Sequence, residues 1–600
     1  MVGMENSGPP LVPIDLGALF AEPVKRLLTP VEPAIQKLLL VDRLGEMLRS
    51  ACRQTQGNEV FERLLSLLDV TYAVAADDAA RIPATGAVVV TANHPFGFLE
   101  AAILAAVLRR ARPDFKIMAN SLLASVLELR EHFVFVNPYG GSRSVRENRK
   151  PMRECLEWLE GGGVLALFPS GDVARPSWRD RGIVDPPWNA AVAHLIRMAG
   201  CAALPVYFKG ANGLGFQLIG ALHPRLRTAN LPREMLNKRG KSIEVRVGRP
   251  VSAAALKSFS SERETIEYLR FRTFLLASRR PTPGNIVRLP IGFFPKRRLM
   301  PLASETQRDL LIQEAVRLHP VCENEEFAVY LSGADATPNI LREIGRLREL
   351  TFRKAGEGTG APLDLDRFDP HYLHLFLWSK AAQEVAGAYR LGPTADLLPR
   401  FGVEGLYSST LFRLSPELFE RTGPALEMGR SWVRPEYQRQ YAPLLLLWKG
   451  ITRYVSAHPE CAVLFGAVSI SNDYNPVSRS LLVSYLETQQ DSALAHWIKP
   501  RHPYRRNHGV RWQAQAMGQF AQDLEELSAP IADLEPDGKG VPILIKQYMR
   551  AGGRVLGFNI DPRFSNVLDV LMMADLRRAP RAVLERYMGR ESTTAFLRRQ

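Results

Sequence analysis

Six hundred residues with ordinary apolar content suggest two to four domains, each with its own core, and the formal charge of +15 points to an anionic partner. No interleaved aromatic and basic code, zinc-ligand spacing or helix-turn-helix accompanies that charge, so no nucleic-acid partner and no metal are expected, which leaves anionic lipid or an acidic protein. Five scattered cysteines (Cys52, Cys155, Cys201, Cys322 and Cys461) without a CxxC pair read as reduced thiols of a cytoplasmic protein.

Residues 1–57 read as an N-terminal amphipathic helical region. Apolar residues recur at helical spacing from Leu16 to Cys52, mixed with Lys25, Arg26, Lys37, Arg43 and Arg49, and Pro23, Pro30 and Pro33 break the run. Such a stretch suits either an anionic lipid surface or packing on the next domain. The first fifteen residues lack the charged and apolar parts of a signal peptide. No apolar run reaches bilayer length, Leu444–Trp448 being too short, so a meeting with a membrane is expected to be peripheral.

Residues 58–280 alternate β-rich and helical runs, the signature of an α/β domain. Strands are expected at Val88–Ala92, Phe115–Ala119, Phe133–Val136, Val164–Phe168, Leu204–Phe208 and Ile243–Val247. The first of them runs into Asn93-His94-Pro95-Phe96-Gly97, and an Ala/Leu-rich helix follows from Glu100 to Arg109. This places His94 on a strand-to-helix turn with Glu100 in the first helical turn. There the imidazole can take a proton from a bound hydroxyl, and the carboxylate can fix its tautomer. A capping His beside a solvated Glu is the plain alternative. Two further polar turns end strands: Asn137–Arg143, and Phe168-Pro-Ser-Gly-Asp-Val173. Ligands of open α/β sheets gather at such carboxyl ends, where glycines admit an anion and Arg143 or Arg146 can bind it.

Residues 281–325 read as a basic, proline-containing linker and helix, and 326–577 as a second α/β unit. Strands are expected at Glu326–Leu331, His374–Trp378, Glu384–Leu391, Ala425–Val433 and Val463–Val468, and a helix at Ile340–Phe352. The acidic loop Asp364–Asp369 precedes the second of these strands. Glu427 and Arg430 lie within one apolar strand, where charge is expensive unless paired. Their odd spacing puts them on opposite faces of a regular strand, unless a bulge intervenes. One then meets substrate and the other an aspartate of the acidic loop; a buried ion-pair network without chemistry is the alternative. Gly540–Lys546 and Arg554–Asn559 read as a helix and a closing strand, and 578–600 as a basic C-terminal helix.

Four blocks of the first half resemble those of the glycerolipid (lysophospholipid) acyltransferases. Asn93-His94 with Glu100 resembles their Asn-His-x4-Asp block with the acid one position later, a form similar to the bacterial branch called hemolysin-like. Phe168-Pro-Ser-Gly171 resembles Phe-Pro-Glu-Gly with Ser170 in place of Glu and Asp172 as a substitute acid. Leu204-Pro-Val206 matches the last block, and Gly140–Arg143 the acceptor-binding one. The second half resembles the N-acyltransferases of ornithine-lipid synthesis, relatives of the GNAT fold and of acyl-homoserine-lactone synthases. The matching residues are Arg348, Thr351-Phe352-Arg353, Asp364–Asp369, Arg390, Glu427-Met-Gly-Arg430 and Pro542–Lys546. The usual GNAT pyrophosphate loop is poorly kept at Arg439–Ala442, and an acidic acyl carrier protein fits the basic charge as thioester donor.

The two resemblances together imply a bifunctional aminolipid synthase, with ornithine lipid as product and no resident cofactor. In the second half an amino acid's α-amine attacks a 3-hydroxyacyl thioester; Glu427 deprotonates or orients it, and Arg348, Arg353, Arg390, Arg430, Asp366 and Asp369 shape the substrate site. In the first half His94, oriented by Glu100 or Asp172, activates the new lipid's hydroxyl for a second acylation. Asn93, Gly97, Arg143, Ser170 and Gly171 bind substrate there, amides at the Gly97 or Gly171 turns holding the oxyanion. The expected place is the inner face of the bacterial cytoplasmic membrane. Three alternatives stay open: a lysophosphatidic acid acyltransferase with a non-catalytic second half, a membrane-binding hemolysin-like protein, and a GNAT-like acyltransferase with a degenerate first half.

Overall fold

Buried β-branched runs make the middle of the first sheet. The structure, a computed structural model, describes residues 41–54, 59–120, 131–137, 141–177, 182–222, 224–279, 299–505 and 523–599. The chain divides into two units, Met1–Arg279 and Arg280–Gln600. Strands of the first are β1 (Thr71–Val74), β2 (Val88–Ala92), β3 (Phe115–Asn120), β4 (Phe133–Val136), β5 (Val164–Leu167), β6 (Arg175–Ser177), β7 (Gly182–Val184), β8 (Ala202–Phe208) and β9 (Ser242–Val247). One sheet has the order β1-β9-β8-β2-β5-β3-β4, and β6 pairs with β7 in a hairpin. The strands β8, β2, β5, β3 and β4 are parallel, while β9 runs against β8. All five residues of β2 are buried, which is why the sequence shows a continuous apolar run there and no alternation.

Helices α1 (Val41–Gln54) and α2 (Glu59–Leu67) add Leu44, Leu48, Ala51, Phe61 and Leu64 to the core of this unit. Packing on the neighbouring domain, one of the two expectations for the N-terminal region, therefore holds for Val41–Gln54. Residues 1–40 and 55–57 of that region lie outside the described residues. Helix α3 (Phe98–Ala111) leaves β2 through the His94 turn and is apolar almost all round, as a helix between a sheet and α2 must be. Three short helices, α4 (Leu214–Leu222), α5 (Pro224–Ala229) and α6 (Leu231–Leu236), follow β8.

Strands of the second unit are β10 (Cys322–Glu323), β11 (Phe327–Gly333), β12 (Leu373–Ser379), β13 (Glu384–Pro393), β14 (Phe412–Leu414), β15 (Ala425–Val433), β16 (Val463–Ile470), β17 (Ile498–Pro500), β18 (Arg554–Asp561) and β19 (Val567–Asp575). The main sheet has the order β10-β11-β12-β13-β15-β16-β19-β18 and is antiparallel except at β15–β16. The expected closing strand is β18, at the edge; β19, which the sequence reading did not single out, inserts between it and β16. Helices α7 (Arg308–Ala315), α8 (Pro338–Lys354), α9 (Ala442–Ala457) and α10 (Pro476–Thr488) accompany the sheet, with α11 (Ile543–Arg550) before β18.

The C-terminal basic segment forms two helices, α12 (Arg581–Met588) and α13 (Arg590–Arg598), because Gly589 at φ +86° interrupts the run. Trp448 of α9 packs on Tyr587 of α12, with ring centroids 5.7 Å apart. The described end of the linker lies along the second unit, where the amides of Met300 and Ala303 donate to Gly360 O and Pro362 O. No helix among the described residues is long and apolar enough to cross a membrane.

Candidate active sites

At the carboxyl ends of β2 and β5 the first unit gathers an imidazole and carboxylates. Glu100, at the third position of α3, reaches back over the turn. Its Oε1 accepts the amides of Phe96 and Gly97, both at 2.9 Å, and meets His94 Nδ1 at 2.8 Å. The acid thus caps the helix and orients the imidazole at once. Displacement of the acid by one position does not break the pair. Gly97 takes up the extra residue at φ +106°, a Cβ there would strike the Leu231 side chain, and Glu has one methylene more than Asp. Glu100 is fully buried, and the His94 ring stacks on Phe168 with centroids 4.5 Å apart. Burial pulls the imidazole pKa down, but the Glu100 charge and hydrogen bond, with the charges of Asp185 and Asp172, outweigh it. His94 is held above its ordinary 6.5. With Nδ1 bound to the carboxylate, Nε2 is the nitrogen that can take a proton from an acceptor hydroxyl.

Several expected residues serve this turn in other ways. Asn93 bonds both polar atoms of its amide to Phe208, Nδ2 to O at 3.0 Å and Oδ1 from N at 2.7 Å; it ties β2 to β8 where a substrate contact was expected. The amide of Gly97 is engaged by Glu100, and that of Gly171 by Phe168 O at 3.0 Å, so neither is a free oxyanion donor. Ser170 Oγ donates to Asp172 O within its own loop. Asp172 pairs with the buried Arg227 of α5, not with the imidazole. The side chain of Arg143 lies outside the described residues. Asp185, which the sequence reading passed over, accepts the His94 amide at 3.1 Å and Trp188 Nε1 at 3.1 Å, and burial pushes its pKa up to about 6. Its signal is an acid directly before Pro186-Pro187-Trp188.

In the second unit the sheet splits. β15 and β16 pair only from Ala425 with Val463 to Glu427 with Phe465. At Gly466 a Cβ would collide with the Met428 carbonyl, so the closest approach requires glycine. Beyond it a cavity of about 160 Å³ is lined by Met428–Ser431 of β15 and Ala467–Ser469 of β16, by Leu544 and Tyr548 of α11, and by Tyr407 and Asp569. The register between β13 and β15 shifts opposite Arg390, and Arg430 adopts φ +49°. This is the bulge that alters the face assignment, and Glu427 and Arg430 both meet Tyr407.

The arginines mostly hold the acidic loop. Arg348 binds Asp364 through Nε at 2.9 Å and Asp369 at 3.1 Å. Arg390 binds Asp366 at 2.7 Å and Asp369 at 3.1 Å, and Arg430 lies 3.2 Å from Asp364 and 3.4 Å from Asp366. Three arginines thus face three carboxylates, Arg348 and Arg390 buried and Arg430 partly so. Burial would raise Asp369, but Arg348 and Arg390 hold it well below the usual carboxylate range. Of the three arginines only Arg430 also lines the cavity, its guanidinium between the rings of Tyr407 and Phe564. Arg353 braces loops, donating to Glu349, Met300 O and Ala361 O, and not to the cavity. Glu427 accepts the Tyr372 hydroxyl and the amides of Tyr407 at 3.0 Å and Ser408 at 2.6 Å, and it does not line the cavity. It therefore anchors the Tyr407–Ser408 segment, where a proton acceptor was expected.

Carboxylates of the cavity come from elsewhere: Asp561 of β18, Asp569 of β19 and Glu357 after α8. Burial pushes Asp569 up to about 8, Asp561 and Glu357 adding to the rise while the Ser469 hydrogen bond and Arg430 oppose it. Burial, with the charge of Asp473, pushes Glu357 up to about 7. Asp569 was legible as an acid inside the apolar run Val567-Leu-Asp-Val-Leu-Met-Met573, had that run been read as a strand.

Comparison with known proteins agrees with this division. An acyltransferase family model matches residues 47–280, and an acetyltransferase (GNAT) domain model matches residues 347–449. The chain is 30% identical over 257 residues to the glycine N(alpha)-acyltransferase of Bacteroides thetaiotaomicron, covering 40% of this chain and 74% of that one. To the L-ornithine N(alpha)-acyltransferase of Rhodobacter capsulatus it is 31% identical over 249 residues, covering 39% of this chain and 85% of that one. A solved 1-acyl-sn-glycerophosphate acyltransferase from Thermotoga maritima superposes at a TM-score of 0.25 with 18% identity, over 42% of this chain and 90% of that one, too loosely to bear weight. The protein is an acyltransferase of mixed α/β architecture with two acyltransferase domains in series, and it belongs to the amino-acid N(alpha)-acyltransferase family.

Proposed function

We propose that the chain makes a two-chain aminolipid by successive acyl transfers. The second unit joins a 3-hydroxyacyl group to the α-amine of an amino acid. The first unit then acylates the hydroxyl that this group carries. The observation behind this reading is that each unit has its own reactive apparatus: an oriented imidazole with Nε2 available at His94, and an acid-lined cavity in the split sheet.

Ornithine is favoured over glycine as acceptor because the cavity presents Asp561 and Glu357, which suit a second ammonium, while Arg430 suits the carboxylate. An acidic acyl carrier protein suits the chain's charge of +15 as thioester donor. A lipid product calls for a lipid surface. Leu214 and Leu218, one turn apart on α4, are 80% and 71% exposed, and helices α4 to α6 adjoin the His94 turn through Leu231. The purified chain, given 3-hydroxyacyl carrier protein with ornithine or glycine, is expected to release free carrier thiol and form the ornithine amide. Amide formation with glycine alone would overturn the choice of acceptor.

A further inference from the structure

We infer that Asp569 takes the proton from the acceptor's α-ammonium, with Oδ2 as the accepting atom; this rests on the N-acylation reading above. Asp569 is 97% buried on β19, at 3% exposure, and it lines the cavity of the split sheet. Ser469 of β16 donates to its Oδ1 at 2.9 Å and so fixes the carboxylate plane, while Oδ2 is buried with no partner. A buried acceptor atom left open is costly, and it is kept where a ligand donor completes it.

The other acids nearby are accounted for differently. Asp364, Asp366 and Asp369 each meet an arginine, and Glu427 is engaged by one hydroxyl and two amides. The charged and titratable groups around Asp569 are Asp561 of β18, Glu357 after α8, Arg430 of β15 and Tyr407. Two of these are acidic, and burial adds to their effect, so the carboxylate holds a proton far more tightly than an exposed one. Such a group is matched to an amine's proton, which an ordinary carboxylate would not take efficiently.

In the step itself the α-ammonium gives one proton to Asp569 Oδ2. The neutral nitrogen bonds to the thioester carbonyl carbon, and the C–S bond breaks as the carbonyl reforms. The nitrogen's second proton goes to the leaving thiolate, and Asp569 releases its own to solvent. One amide, one thiol and one proton result from one ammonium and one thioester.

The test compares wild type and Asp569→Asn as full chains, with ornithine and with hydroxylamine, a nucleophile that is unprotonated at neutral pH. Circular dichroism and thermal melting check the fold. For wild type kcat/KM with ornithine is expected to rise through a pKa near 8. Asp569→Asn is expected to lose at least 100-fold with ornithine and to lose that limb, yet to stay within about threefold of wild type with hydroxylamine. A folded variant that loses equally with both nucleophiles, or that keeps the ornithine rate and pH limb, overturns the assignment while leaving N-acylation standing. A wild type that forms no amide from either overturns both.

Discussion

In the proposed chemistry of the first unit, His94 and Glu100 work through one hydrogen bond of 2.8 Å and the charge behind it. Glu100 raises the imidazole pKa against a burial that lowers it. The proposed O-acyl transfer uses the neutral imidazole, so its wild-type rate is expected to rise with pH through a value above 6.5. In Glu100→Gln burial is opposed only by the charges of Asp185 and Asp172, and the limb moves to lower pH. The rate falls by about 10²-fold or more as the orientation and the stabilised imidazolium are lost. A pH–rate profile of hydroxyl acylation measures both effects; an unmoved limb would exclude the pair as the working dyad. This site was readable because its parts lie within seven residues, His94 to Glu100, and local turn chemistry brings them together. Asp185 and Asp569 were not readable in the same way. Their roles depend on which strand or loop packs beside them, and no local spacing encodes that.

Among the elements, β15 decides the second unit. Its bulge at Arg430 and its parting from β16 at Gly466 create the cavity, and the acidic loop locks the bulge in place. The sequence marked Glu427, Arg430 and the loop as charges in need of partners, and it left open whether those partners are substrate or protein. For Arg348 and Arg390 the partners are protein. Arg348→Ala strands Asp364 and Asp369 without their main counter-charge and is expected to cost about 3–5 kcal/mol in a denaturant melt, as for a broken buried pair. A loss below about 1 kcal/mol would mean water reaches the network. Helix α4 makes the second prediction at this scale. Leu214→Glu with Leu218→Glu is expected to weaken binding to anionic vesicles in a flotation assay and to leave the fold intact. Unchanged flotation would place the lipid contact on another face.

For the whole molecule, the order of the two α/β units follows from where the sequence changes character: strand–helix alternation up to residue 279, a basic proline-rich stretch, then a mainly antiparallel sheet. The strand β19 stayed hidden because its run, buried at nearly every position, is interrupted by an acid, Asp569, where that of β2 is apolar but for a threonine. The proposed pair of transfers on one chain has a direct chemical consequence: the first product has to carry the nucleophile for the second. Lipid mass spectrometry tests this most directly. Wild type and His94→Ala are expressed in a bacterium that makes no aminolipids. The account predicts a two-chain aminolipid from wild type and accumulation of the single-chain amide in His94→Ala. A two-chain aminolipid from both, or no amide from either while acylated lysophosphatidic acid increases, would contradict it.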